Sequence, residues 1–253
     1  MRETVTRLEE FYASPLGRAA SDMAGRRLKS LWPDLSGKNI LGFGYCWPYL
    51  RPYQLTANRV VMAMPEEQGA LAHENARGVS TCLVMEQSLP FSDASFDYVL
   101  CVHGAEEAEN FPALLRELWR VTRPEGRIAI IAANRAGLWA RSERVPFGAG
   151  RPFSRTQLRG ALTAAGFAPI VWSGALYMPP TARLAKPKLI HATERFGETV
   201  WPSFSGLVLV EALKRLYIDP HDKPPGFVQR PSFNTRPIAN RTADSYGVAD
   251  DPK

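Results

Sequence analysis

Short apolar runs alternate with longer stretches of helical periodicity through most of the chain. Val5, Leu8, Phe11 and Tyr12 recur at helical spacing, and Met23, Leu28, Leu31 and Trp32 repeat the pattern after a Ser-Pro-Leu-Gly break. Two helices are therefore predicted before Pro33. The runs "NILGF" from Asn39, "RVVMAM" from Arg59, "STCLVM" from Ser80, "FDYVLCV" from Phe96 and "GRIAIIAAN" from Gly126 read as strands, because each is short and rich in branched or apolar residues. The intervals leave room for helices, most clearly "PALLRELWRVT" from Pro112. Strands alternating with helices predict a mostly parallel sheet covered on both faces.

Later in the chain, "SRTQLRGALTAAGF" reads as a helix with Ser154 as N-cap and Gly166 at its C-terminal end. "APIVWSGALYM" and "SGLVLVEALKRLY" read as late strands that can form an antiparallel edge. From Asp219 onward prolines recur and no apolar face can be traced, a composition that predicts a disordered tail over 219–253. The expected organisation is helices over 1–36, an α/β domain over 37–218, and the tail.

Composition narrows the picture only a little. The 253 residues can bury a full core. No apolar run approaches the roughly 20 residues of a membrane span, and the N-terminus carries charges where a secretory signal needs an apolar stretch, so a cytoplasmic protein without membrane contact is expected. Cys46, Cys82 and Cys101 form no C-x-x-C pair, and no metal site is expected. The net charge of +6 is spread along the chain, and Arg116, Arg120, Arg123 and Arg127 read as a solvated helix face, which argues against a nucleic-acid partner.

The segment from Leu89 to Arg141 carries Leu89-Pro90-Phe91, then Phe96-Asp97, Glu117 with Arg120-Val121, and Pro124-Glu125-Gly126. In this order and spacing it resembles the class I S-adenosylmethionine-dependent methyltransferases of the small-molecule, type 11 kind. The resemblance extends from about Lys38 to Tyr217. It implies a doubly wound, mostly parallel seven-stranded sheet, S-adenosylmethionine as cofactor, and a small-molecule acceptor, with a protein partner left open. A ligand in such a sheet lies beyond the carboxyl ends of the strands.

Four strand ends are therefore the candidate site. The resemblance puts the methionine part of the cofactor at the first, where Gly44, Tyr45 and Cys46 stand. Gly42 holds the family's acidic position, Cys46 and Pro48 replace later glycines, and Pro48 with Pro52 requires the first crossover helix to start late or kink. It puts the ribose at the second end, near Glu66, and the adenine at the third, near Glu86 and Gln87. His103 and Glu106 at the fourth face the acceptor. His103 can serve as a proton acceptor or simply fill a hydrogen-bonding position; methyl transfer often needs only positioning. Tyr12 and Arg18, in the N-terminal segment, would fold over the site as a lid. The altered first turn leaves a second reading, a methyltransferase-like protein that has lost its cofactor and acts as a binding or regulatory subunit.

Overall fold

The computed structural model describes residues 2–72, 74–75, 78–181, 194, 197 and 204–215. The chain divides into two units, Met1–Ile218 and Asp219–Lys253. The expected tail is the second unit and lies outside the described residues.

Two helices open the chain, α1 (Val5–Ala13) and α2 (Pro15–Leu31). Ser14 makes the corner between them. It is extended, its hydroxyl accepts from the Gly17 amide at 3.0 Å, and Pro15 follows in the first turn, where a missing N–H costs nothing. A Cβ on Gly17 would lie 1.9 Å from the Phe11 carbonyl oxygen, so only glycine lets the helices turn this sharply.

The sheet follows: β1 (Asn39–Gly44), a one-turn α3 (Trp47–Leu50), β2 (Arg59–Pro65), a two-residue hairpin of β3 (Glu74–Asn75) and β4 (Gly78–Val79), β5 (Thr81–Val84), β6 (Phe96–Val102), α4 (Phe111–Val121), β7 (Thr122–Ala133), α5 (Arg155–Ala164), β8 (Phe167–Ala175) and β9 (Leu207–Lys214). Seven strands pair in the order β5-β2-β1-β6-β7-β9-β8. All pairs from β5 to β7 are parallel, and β9 runs antiparallel between β7 and β8. The expected α/β sheet of seven strands is present, with β9 inserted inside the late antiparallel region and β8 at its edge.

Both faces are covered, by different means. On one, α4 and α5 bring Leu114, Leu115, Leu118, Leu158 and Leu162 against Leu41, Phe43, Val99 and Ile130. These helices are capped as their sequences foretell: Asn110 accepts from the Ala113 amide, and Ser154 with Gln157 forms a reciprocal capping box. On the other face, α1 and α2 place Leu8, Ala20, Met23, Ala24 and Leu28 in the layer with Ile40, Met62, Leu100 and Ile131.

On that second face the first crossover breaks between its two prolines, the latter of the two expected alternatives: α3 begins at Trp47, with Pro48 tolerated in its first turn, and stops after four residues as Pro52 enters a following 3₁₀ turn. In the second, between β2 and β5, the described residues contain the β3–β4 hairpin and no helix. The N-terminal helices supply the cover that the crossovers lack.

Three of the four arginines read as a solvated face are ion-paired instead, while Arg116 is exposed as expected. Arg120 bonds Glu117 and Asp93, Arg123 bonds Asp97, and Arg127 bonds Glu211. Arg120 also donates to the Leu89 and Phe91 carbonyls at 2.9 and 2.8 Å, while Glu117 accepts from the Leu89 amide. The loop after β5 is thereby clamped to α4. The buried Glu211 accepts from the Trp32 indole at 2.9 Å, and buried Lys214 donates to the carbonyls of Trp119 and Thr122 at the end of α4.

Candidate active site

The carboxyl ends of β5, β2, β1 and β6 form one row. At the end of β1, Gly44 takes φ +80°, and a Cβ there would stand 2.2 Å from the Val102 carbonyl oxygen. Glycine is needed here for the chain's own packing of β1 on β6, whatever ligand approaches. The turn's amides are already engaged: Tyr45 donates to Val102 O at 3.0 Å and Cys46 to Gly44 O at 3.1 Å. The next residues offer little more, since Pro48 has no N–H and α3 is a single turn.

The side chains of this turn point into packed surroundings. Tyr45 is buried and stacked on Tyr12, ring centroids 5.4 Å apart, and burial pushes its hydroxyl up to about 12. The Cys46 thiol is directed at the carbonyls of Phe43 and Leu100, and burial raises its pKa. A Cβ on Gly42 would meet Cys46 Cβ at 2.7 Å, Leu50 Cδ1 at 2.8 Å and Met62 Sδ at 3.0 Å. The space an acid would need is filled by apolar atoms.

His103 ends β6 in a left-handed conformation, φ +54°. Its Nε2 lies 2.9 Å from the Tyr12 hydroxyl, which is also 3.1 Å from that of Tyr49, and its ring packs 4.4 Å from Phe147. Burial pulls the imidazole down to about 3, so it is neutral at physiological pH and a weak base in this setting. Burial also raises the Tyr12 hydroxyl well above its ordinary value. Glu106, nearly fully buried, accepts from the Ala133 amide through Oε1 at 2.7 Å; its Oε2 has no partner, and burial pushes the carboxyl up to about 7.

The N-terminal segment crosses the row. Arg2 Nη2 pairs with Glu86 and donates to the Glu107 carbonyl at 2.8 Å. The Glu3 amide donates to Glu107 Oε2 at 3.1 Å, and the Val5 amide to the Gln68 carbonyl at 2.8 Å. Burial pushes Glu107 up to about 7 despite the Glu3 hydrogen bond. Gln68, in turn, reaches the His103 carbonyl at 3.4 Å.

Of the residues singled out in the sequence, Tyr12, Tyr45 and His103 come together directly, and Glu86 joins the same row through Arg2. Glu66 and Gln87 are exposed, and Cys46 points into the core. Arg18, expected beside Tyr12 in the lid, is exposed and bonds the Ala13 carbonyl. Sequence reading missed Arg2, Gln68, Tyr49, Glu107 and Phe147. Only Tyr49 carried a signal, as an aromatic residue within the altered turn. The hollow beside the turn, lined by Gly44, Tyr45, Cys46, Trp47, Met62 and Met64, encloses essentially no volume, against roughly 300 Å³ or more for small-molecule pockets in general.

Residues 41–130, which contain the first turn and all four strand ends, match the family model of the methyltransferase domain. Over these residues the chain is similar to the methyltransferase domain family. Curated relatives named demethylmenaquinone methyltransferase, from Corynebacterium glutamicum and Corynebacterium efficiens, are 41% identical over 63 residues, 25% of this chain and 27% of theirs. The chain thus matches about a quarter of the length of these relatives. Among solved structures, an S-adenosylmethionine-dependent methyltransferase from Thermotoga maritima aligns over 83% of this chain and 96% of its own, with TM-score 0.58 and 18% identity. One from Mesorhizobium loti aligns over 80% and 99%, with TM-score 0.52 and 16% identity. A [4+2]-cyclase aligns over 79% and 84%, with TM-score 0.56 and 19% identity. This methyltransferase fold therefore accommodates more than one chemistry, and the site has to supply the argument for activity.

Proposed function

We propose that the protein is an S-adenosylmethionine-dependent methyltransferase acting on a small-molecule acceptor. The observation that carries this reading is the convergence of Glu86, Gln68, Gly44 and His103 at the carboxyl ends of four adjacent parallel strands, within the segment that matches the methyltransferase domain. This is where an open α/β sheet takes its ligand.

The fit to the cofactor is uneven along the row. Unsatisfied buried polar atoms, Gln68 Oε1 and Glu106 Oε2, are suited to a polar ligand, and the Glu86 carboxylate suits an exocyclic amine. At the first turn the filled space beside Gly42 and the engaged amides give a bound carboxylate or amine few partners. The free volume admits no cofactor until neighbouring groups move. When bound, the cofactor supplies an electrophilic methyl group on a sulfonium. The chain's part is to orient the two reactants and exclude water, and a neutral His103 can accept a hydrogen bond from an acceptor hydroxyl or amine once Tyr12 releases it.

The filled turn favours one second reading, a methyltransferase-like protein that holds no cofactor and serves as a binding subunit. Calorimetric titration of the full-length protein with S-adenosylhomocysteine separates the two. Saturable heat accompanied by a rise in melting temperature supports the enzyme; absence of both at millimolar ligand leaves the subunit reading.

A further inference from the structure

We propose that residues 2–5, at the head of α1, are a displaceable strap whose Arg2 holds the place of the ligand's amine at Glu86, so that this segment competes with the cofactor. The inference rests on the cofactor reading above and concerns how that site is regulated. Its basis is where the segment lies and how poorly its leading residue is satisfied.

The strap and the helix α1 that follows it touch the strand ends in succession. Arg2 reaches Glu86 beyond β5 and Glu107 beyond β6, Val5 bonds Gln68 beyond β2, and Tyr12 stacks on Tyr45 beyond β1 while bonding His103 at the end of β6. No large ligand can reach that row with the strap in place. The Arg2 side chain is only 3% exposed, and of its three guanidinium nitrogens only Nη2 is hydrogen-bonded. Arginine normally grips a carboxylate with two parallel donors. Here Glu86 and the Glu107 carbonyl clasp a single NH₂ group, a geometry that would equally receive the exocyclic NH₂ of an adenine. Nε has only an ion-pair contact, with Glu107 Oε2 at 3.9 Å, and no hydrogen bond; Nη1 is buried without a hydrogen-bond partner, as is Gln68 Oε1 beneath the segment. Such groups oppose the closed arrangement. They regain water when the strap lifts, while Glu86 and Gln68 become available to the ligand. Ahead of α1 the segment is held to the row by few hydrogen bonds compared with the sheet, which lowers the cost of a local opening that leaves the buried Leu8 in place.

The test uses the full chain, wild type and Arg2→Ala, with amide hydrogen exchange and calorimetric titration with S-adenosylhomocysteine. The expected result without ligand is that the Val5 amide exchanges by a local opening, well before sheet amides such as Leu41, and faster again in Arg2→Ala. With ligand, Arg2→Ala is expected to bind about 3–10-fold more tightly, since a closed population no longer subtracts from affinity, and exchange at Glu3 and Val5 in the wild type should accelerate. If Val5 exchanges only with global unfolding, or if both proteins bind equally and ligand leaves exchange at Glu3 and Val5 unchanged or slower, the strap is refuted. Local opening in both proteins with binding in neither would refute the cofactor reading while leaving the strap.

Discussion

The two faces of the sheet are built on different plans. Over β6 and β7, α4 and α5 are ordinary helices with side-chain caps, and the loop after β5 is clamped to α4 by Arg120 and Glu117. Over β1 and β2 the crossovers have shrunk to one turn of helix and a hairpin, and a segment from the chain's start provides the cover. The first plan is the scaffold shared with solved methyltransferases; the second covers the strands whose ends form the candidate site. The residues that carry the family resemblance, Leu89, Asp97, Glu117 and Arg120, do structural work: Asp97 bonds the Asn39 amide and Arg123, and the others form the clamp. Resemblance concentrated there identifies a fold more firmly than an activity.

The comparison can be broken most severely at the sheet. Ending the chain at Thr199 removes β9, an interior strand between β7 and β8, and should give insoluble product; a soluble protein with a cooperative melt would refute the topology. Next in size is Gly44→Val. The substitution places Cβ against the Val102 carbonyl at a positive φ, so it should cost more than about 4 kcal/mol and abolish cooperative folding by circular dichroism. A well-folded Gly44→Val that merely fails to bind ligand would mean that the glycine serves the ligand instead.

Arg120→Ala sharpens the contrast on the scaffold side. It removes the bonds to Glu117, Asp93 and two carbonyls, with an expected loss of about 2–4 kcal/mol in denaturant unfolding and little change in ligand affinity. The smallest effect is at the site and depends on pH. Burial raises the Glu106 carboxyl to about 7, so the folded state keeps a proton that the unfolded chain releases above about 4.5. Its contribution is complete below that value and is lost as pH rises through 7. Glu106→Gln retains the acceptor for the Ala133 amide and removes the titration. It should leave stability at pH 5 nearly unchanged and raise it at pH 8 by about 1–3 kcal/mol; equal effects at both pH values would contradict a buried, raised carboxyl.

Strand runs such as "NILGF" and "FDYVLCV" were legible because strands buried on both faces must be apolar throughout, and α5 was legible because Ser154 caps its start and Gly166, at φ +87°, follows its end. The break in the first crossover was legible because two prolines four apart cannot share one helix interior, whereas its place was not, since proline is harmless in a first turn and each of the two occupies one. Arg2 and Glu107 could not have been found, because 105 positions separate them and only the path of the strap brings them into contact. His103 and Tyr12 were visible separately; their hydrogen bond depends on the angle at Ser14, which local sequence signals without setting.

Gly42 bears on how readily the site can change. Restoring an acid there by one substitution would press a carboxylate against the Cys46 and Leu50 side chains and the Met62 sulfur, none of which can solvate it. Cys46, Leu50 and Met62 would have to shrink or turn polar at the same time, and each of those changes alone opens a gap in the core. An acid at this position therefore requires coupled changes at three neighbours, and the glycine is fixed by the side chains packed around it.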